Sequence, residues 1–427
     1  MTNRVVITGM GVVSPNAVGV NNFELAIRKG KSGIKHYPEL EKLNFRCQVG
    51  GIPNVAEEDK ISFVKKYRLQ ELKSTGILYG CMAGVEAWTN AGLKINDKKN
   101  SEPDWDSGCI FGTGSNGIEA TDYGITLMDN GDMRKGDQTT AQQTMNSGVS
   151  AYLGGILGLG NQVTSNASAC NTGTEAALDA YNRIKFGLAE RMIVGSSESN
   201  SPYVWGPFDS MFALAQGYNA TPEKASCPMS KHAMGFVPSS GAGALVIENL
   251  DAALERKATI YAEILGGHIN SGGQRGEGTM TIGNINGMAK CIEMGLASSG
   301  ITAKEIDLIS GHLTSTIGDV NEIKSWKKAL RRSGKRFPWV NSTKSMIGHS
   351  LSAAGSIEIV ASVLQLFHGF VHPSLNAEEL HPEIEAIVHS SRVPKEMISE
   401  PNLNIVAKIN FGFGDVNSCL ILKKWKD

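Results

Sequence analysis

Residues 341–361 read Asn341-Ser-Thr-Lys-Ser-Met-Ile-Gly-His-Ser-Leu-Ser-Ala-Ala-Gly-Ser-Ile-Glu-Ile-Val-Ala361. The run Pro338–Asn341 that leads in reads as a strand, and Ser352–Phe367 has the length and composition of a helix. The first turns of that helix are built from small residues, which let backbones approach closely, so the helix is expected to be buried with its first N–H groups pointing inward. His349 stands at its start, where the positive end of the helix disfavours an imidazolium and leaves a neutral hydrogen-bond donor. Lys344 lies five residues before His349, and Glu358 is the carboxylate that a partly buried lysine needs.

A second stretch has the same build: Ser165-Asn-Ala-Ser-Ala-Cys170-Asn-Thr-Gly-Thr-Glu-Ala-Ala-Leu178. A lone cysteine in such a chain is usually a small core residue. Here it opens a helix expected over Gly173–Phe186, where the helix N-terminus lowers a thiol pKa toward thiolate. Glu175 falls within about one turn of that thiol.

Strand-like and helix-like runs alternate around these two segments. Strands are expected at Arg4–Thr8, Ser107–Phe111, Arg191–Gly195, Gly243–Glu248, Tyr261–Leu265, Ile306–Ser310, Ile405–Asn410 and Ser418–Lys423. Further helices are expected at Glu71–Ala91, Gln142–Leu157, Met288–Ser298 and Asp319–Leu330. The alternation indicates an α/β sandwich with largely parallel sheets. The polar segment Asn249–Ala258 marks a seam between two halves, residues 1–250 and 251–427.

Composition narrows the function. A chain of 427 residues that is 41% hydrophobic and 19% charged is not mainly disordered. Its 41 basic and 42 acidic residues give a net charge of −1, which removes the global electrostatic case for nucleic acid or an anionic membrane as partner. No uncharged apolar run approaches the ~18 residues of a membrane span, and the N-terminus reads as a strand entering a glycine turn. Seven cysteines without CxxC spacing argue against a disulfide framework or a zinc site and suit reducing cytoplasm.

Two further motifs carry candidate chemistry. His312 ends an apolar strand and precedes Leu313-Thr-Ser-Thr316, so Thr314 and Thr316 are hydroxyl neighbours of a histidine facing a pocket. Phe411-Gly-Phe-Gly-Asp-Val-Asn417 follows a strand, and glycines flanking Phe413 suit a mobile loop or a backbone N–H offered to a ligand.

Taken together and in order, these motifs resemble the elongating β-ketoacyl-(acyl carrier protein) synthases of the thiolase-like superfamily. Val5-Val-Ile-Thr-Gly-Met-Gly resembles the first strand and turn of that family, Cys170 stands at its nucleophile, His312-Leu-Thr-Ser-Thr at its first histidine motif, Asn341–His349 at its lysine–histidine motif, and Phe411-Gly-Phe-Gly at its gating loop. The resemblance implies a five-layered α/β/α/β/α sandwich of two similar halves and a decarboxylating Claisen condensation. Cys170 would carry the acyl chain as a thioester, and the N–H groups of Cys170 and Phe413 would form an oxyanion hole. His312 and His349 would stabilise the malonyl enolate, with Lys344, supported by Glu358, ordering them. Neither metal nor organic cofactor is implied. The implied partner is an acidic acyl carrier protein, with Lys65, Lys66 and Arg68 as a candidate docking cluster, and the implied assembly is a homodimer. Tyr203, Trp205, Phe208, Met211 and Phe212 are candidate tunnel-lining residues.

The chain departs from the family pattern at Leu313 and Asp415, where glycine is usual, and at Ser239-Ser240. These departures favour a specialised polyene, pigment or polyketide synthase over the housekeeping fatty-acid enzyme. The alternatives are a chain-length-factor-like or heterodimeric subunit needing a partner, a thiolase, and a non-catalytic scaffold. Cys170 argues against a partner that lacks a nucleophile. The two-histidine set argues against a thiolase, whose second cysteine would have to be Cys419, in a strand-like run.

Overall fold

The computed structural model describes residues 2–69, 71–99 and 101–426. Strand β1 (Val5–Ser14) is buried along its whole length and joins the two halves. The first half continues with β2 (Ser107–Thr113), β3 (Val163–Thr164), β4 (Arg191–Glu198) and β5 (Gly241–Asn249). The second has β6 (Ala262–Ser271), β7 (Leu308–Ser310), β8 (Trp339–Asn341), β9 (Ile405–Gly412) and β10 (Val416–Lys424). All ten, with a two-residue strand at Ala17–Val18, form one eleven-stranded sheet in the order β3-β2-β4-β5-β1-β6-β10-β9-β7-β8. Each half therefore runs third, second, fourth, fifth, first from its outer edge. The halves meet where β1 pairs antiparallel with β6, Val5 opposite Ile264 and Ile7 opposite Ala262.

The expected largely parallel sheets are not what forms. In each half the outer two pairings are parallel and the inner two antiparallel. The reason is local at β9 and β10, where the short connection at 413–415 forces a hairpin, which can only be antiparallel.

Helices fill three layers. In the middle, α3 (Thr172–Lys185) and α6 (Ala354–His368) pack against each other and against strands of both halves. Outside the first half lie α1 (Thr75–Asn90) and α2 (Gly148–Leu157), and outside the second α4 (Ile285–Ser298) and α5 (Gly318–Leu330). This is the α/β/α/β/α sandwich. Strand β4 shows how sequence period builds it: Met192 and Val194 face the central core and Ile193 the outer one.

The small residues of α3 and α6 do what their size suggests. A Cβ on Gly173 would stand 2.4 Å from Ser356 N, and one on Gly355 would stand 2.6 Å from Thr174 N. The helices cross backbone to backbone, just after Cys170 on one side and His349 on the other. The helical stretch Leu351–His368 is long and apolar enough to cross a membrane, but it is 89% buried inside the protein and carries Glu358 at its centre. It is a core helix.

Element boundaries differ from the sequence reading in physical ways. The helix expected from Glu71 starts at Thr75, where Ser74 caps it by accepting the Ile77 N–H. The helix expected over Gln142–Leu157 is two, Thr140–Thr144 and Gly148–Leu157, broken at Met145-Asn-Ser. The polar seam folds as a short helix, Leu250–Glu255. All seven cysteines are free, and Cys419 is core.

Candidate active site

Cys170 sits in a 3₁₀ turn, Ala169–Asn171, that runs into α3. His349 follows the short helix Lys344–Ile347 and is fixed by its backbone: its N–H donates to Val237 O (2.7 Å) and its C=O accepts the Ser239 N–H (3.0 Å). The departures Ser239 and Ser240 are thus buried beneath this histidine, with Ser239 Oγ 3.3 Å from Ser350 Oγ. His312 follows β7, and its N–H and that of Leu313 donate to the two carboxylate oxygens of Glu322, at 2.9 and 2.7 Å. Strained backbone flanks each piece. Ala169, Leu313, Leu351 and Asp415 all have positive φ without being glycine.

Cys170, His312 and His349 converge on one cavity of about 520 Å³, together with Leu313, Thr314, Thr316, Phe411 and Phe413. His349 Nε2 lies 3.1 Å from Cys170 Sγ. His349 Nδ1 accepts the Leu351 N–H (3.2 Å), so the ring proton is on Nε2. His312 Nδ1 faces two donors, Asn410 Nδ2 at 3.1 Å and Lys344 Nζ at 3.4 Å, which assigns its proton to Nε2 as well. Both rings thus keep Nδ1 as acceptor and Nε2 as donor. The sulfur and the two rings bring a ligand atom each within 4.8 Å of one another, a spacing that a metal could use. The tautomers oppose it, because each Nε2 carries the proton that a metal would replace.

The electrostatics agree with neutral donors. Burial, then the charges of Lys344 and Lys408, hold both imidazoles well below the ordinary histidine range. The thiol differs from the expectation. Burial pushes Cys170 up to about 12, against the opposing pull of Lys344, so the resting group is a thiol and not the thiolate expected from its place at a helix start. Desolvation outweighs the helix end here. Glu175 is absent from the cavity lining, its carboxylate 3.5 Å from Asn171 Nδ2.

Lys344 is buried and pairs with Glu358 Oε1, as the sequence suggested. Sequence reasoning missed the other half of this cluster. Lys408, fully buried on β9, holds Glu358 Oε2 at 2.8 Å. Asn410 Nδ2 donates to the same oxygen at 3.1 Å as well as to His312, and its Oδ1 accepts from Thr174 Oγ1 at 2.6 Å. The available signal was a lysine and an asparagine at alternate positions of an otherwise apolar strand, Ile405-Val-Ala-Lys-Ile-Asn410. Burial works to raise the Glu358 carboxyl, but the two ammoniums outweigh it and hold it below the usual range.

Of the five candidate lining residues, Phe208, Met211 and Phe212 line the cavity. Tyr203 is exposed instead, and Trp205 fills a separate core against Tyr37. Thr314 and Thr316 hydroxyls lie 2.9 Å apart at the cavity wall. Phe413 packs edge-on against Phe208, and Phe411 against His312. Asp415 is buried, and its carboxylate accepts the N–H groups of Gln274 (3.0 Å) and Asn284 (2.9 Å), pinning the Gly-Phe-Gly turn to the 272–284 loop. Lys65, Lys66 and Arg68 are exposed at the end of their own helix, Glu57–Tyr67.

Known proteins share this sequence pattern and this fold. Residues 2–253 match the family described as beta-ketoacyl synthase, N-terminal domain, and residues 261–378 match its C-terminal domain. A 3-oxoacyl-[acyl-carrier-protein] synthase 1 of Buchnera aphidicola is 33% identical over 99% of this chain and 100% of its own length. A solved beta-ketoacyl synthase from Burkholderia phymatum superposes with a TM-score of 0.88 at 25% identity, covering 99% of this chain and 100% of that one. A type II PKS ketosynthase solved with its acyl-carrier protein superposes with a TM-score of 0.84 at 27% identity, with full coverage of both chains (100% each). With both domains matched and a relative at one-third identity along nearly its whole length, this chain belongs to the beta-ketoacyl synthase family.

Proposed function

We propose that the chain joins an acyl group to a malonyl unit by decarboxylating Claisen condensation, giving a β-ketoacyl-acyl carrier protein. The observation that carries this reading is the cavity in which one thiol meets two imidazoles, both with Nε2 protons. In the first half-reaction Cys170 sulfur attacks the acyl thioester. The thiol proton is transferred to the departing carrier thiol, so no net proton is released. His349 Nε2–H, 3.1 Å from the sulfur, stabilises the charge as it forms. The N–H groups of Cys170 and Phe413 receive the oxyanion of the tetrahedral intermediate.

In the second half-reaction the C–C bond to the malonyl carboxylate breaks. Its electron pair becomes the enolate, and carbon dioxide leaves. Negative charge grows on the thioester oxygen, where His312 and His349 donate. Neutral donors suit this step, since neither has a proton acidic enough to quench the enolate. The enolate carbon then attacks the Cys170 thioester, the carbon–sulfur bond breaks, and the released thiolate takes up one proton from solvent. Lys344, paired with Glu358, holds His312 through Nδ1, while His349 is held by its own backbone and the Leu351 N–H.

The same reading supplies the partners. Acyl- and malonyl-loaded carrier proteins are the substrates, Lys65, Lys66 and Arg68 are the proposed docking cluster, and a homodimer is the proposed assembly. We place the protein in the cytoplasm, which its free cysteines suit, and treat residues 1–250 and 251–427 as its two units. The departures at Leu313, Asp415 and Ser239-Ser240 support a specialised polyene, pigment or polyketide acyl substrate. The test is intact-protein mass spectrometry of wild type and Cys170→Ala with a panel of acyl carrier proteins. Acyl mass on wild type alone supports the reading. No acylation from any donor contradicts a stand-alone enzyme and favours a subunit that needs a partner.

A further inference from the structure

The reaction as described uses one lysine, yet two are buried beside the histidines. Lys408 is fully buried on β9, and its ammonium donates to Ile409 O and lies 3.5 Å from Ser310 O. Among the described residues its ion pair is with Glu358 Oε2. That oxygen also accepts Asn410 Nδ2, whose other contact is His312 Nδ1. A continuous chain thus runs from Lys408 through Glu358 and Asn410 to one histidine. Cys170 and His349 stand outside it: His349 takes its tautomer from the Leu351 N–H.

We propose that Lys408 is a positioning residue for the decarboxylation half-reaction: by holding Glu358 Oε2 it keeps Asn410 donating to His312 Nδ1, and so keeps the His312 Nε2 proton aimed at the substrate oxygen. This rests on the condensing function proposed above. A buried ammonium is retained only when paired and hydrogen-bonded, and two of them share one carboxylate here. Both ammoniums lie beside His312, the donor to the oxygen on which the enolate charge develops, with Glu322 as a second carboxylate within reach of Lys408.

The charge has a second consequence. The groups facing His312 are Lys344 from the short helix before His349, Glu358 from α6, Lys408 and Asn410 from β9, Glu322 from α5, and His349 and Cys170 across the cavity. Burial chiefly, then Lys344, His349 and Lys408, disfavour its protonation. Without Lys408 the imidazolium becomes easier to form.

The experiment compares wild type, Lys408→Met and Lys408→Gln, each shown folded by melting and circular dichroism. Two rates are read separately: acyl transfer onto Cys170 by intact mass, and carbon dioxide release from malonyl carrier protein across pH. For Lys408→Met, acyl transfer is expected to stay within about twofold of wild type. Carbon dioxide release is expected to fall at least about tenfold, short of the 10²–10³-fold for deleting a donor outright. Its acid limb is expected to move to higher pH. Lys408→Gln keeps a donor to Glu358 and is expected to recover rate while retaining the pH shift; it carries the comparison if the Met variant does not fold. Equal loss of both rates in a folded variant, or no loss of either, overturns the proposal. A wild type that releases no carbon dioxide contradicts the condensing function instead.

Discussion

Gly173→Ala tests whether the crossing of α3 and α6 sets the geometry of the site. The added methyl would stand 2.4 Å from Ser356 N, 2.5 Å from Ser196 Oγ and 3.1 Å from the Gly355 carbonyl carbon. Two of these neighbours are backbone, so no rotamer change relieves the contact. Returning to ordinary carbon contacts requires the helices to separate by about 1 Å. Overpacking of this kind costs about 1–3 kcal/mol. In a chain of this size each kcal/mol lowers Tm by only about 1 °C. Activity is more exposed, because Cys170 lies three residues before Gly173 and His349 six before Gly355. A displacement of about 1 Å at reacting groups costs about 10²-fold in rate. The expected result is therefore disproportion: a Tm drop of about 1–3 °C beside a loss of about 10²-fold in acyl transfer to Cys170. Melting by calorimetry and single-turnover acylation by intact mass read the two. A folded variant with wild-type acylation would refute the argument that this crossing places the thiol and His349.

Three further outcomes follow from the geometry. His312→Gln is expected to lower carbon dioxide release from malonyl carrier protein by about 10²–10³-fold, with acyl transfer changed only a few-fold, because His349 and not His312 reaches the sulfur; equal loss in both assays would contradict the division of labour. Burial raises the Glu198 carboxyl to about 7, so its protonated form favours the native state and stability drains away as pH rises from the ordinary carboxylate range through 7. Glu198→Gln keeps an acceptor for the Ser115 N–H, while Ser352 Oγ still donates to Ser197 O. It is expected to be neutral near pH 5 and about 1–3 kcal/mol more stable than wild type near pH 8 by denaturant titration, and a pH-independent difference would be inconsistent with this. Asp415→Ala removes the acceptor of two loop N–H groups, so trypsin is expected to cut faster after the exposed Arg275. Unchanged cleavage would show that Asp415 does not hold the loop.

Much of this site could be read in the chain because its signals are local. Lys344 and His349 lie within one short segment, and Cys170 and Gly173 open one helix. Phe411 and Phe413 likewise lie two residues apart, at the end of β9 and in the turn after it. What escaped is long-range. Lys408 and Asn410 reach Glu358 and His312 only once β9 lies beside β7, some 98 residues away in sequence for Asn410 and His312. Strand β3, two residues long, has too little pattern to be seen alone. The Cys170 thiol was misjudged for a related reason. A helix start is visible in sequence, whereas the desolvation that overrides it depends on distant segments that pack around the cavity holding the sulfur. The doubled strand order, third-second-fourth-fifth-first, is likewise a property of the sheet with no matching repeat in the residues.

The central claim is that Cys170 and the two neutral histidines carry out a condensation driven by decarboxylation. The direct measurement is a single turnover of acyl-loaded wild type with malonyl carrier protein labelled in its carboxyl carbon, counting released carbon dioxide against β-ketoacyl carrier protein formed. The account requires one equivalent of each, with no β-ketoacyl product from Cys170→Ala. β-Ketoacyl product without matching carbon dioxide, or product that survives Cys170→Ala, would contradict it.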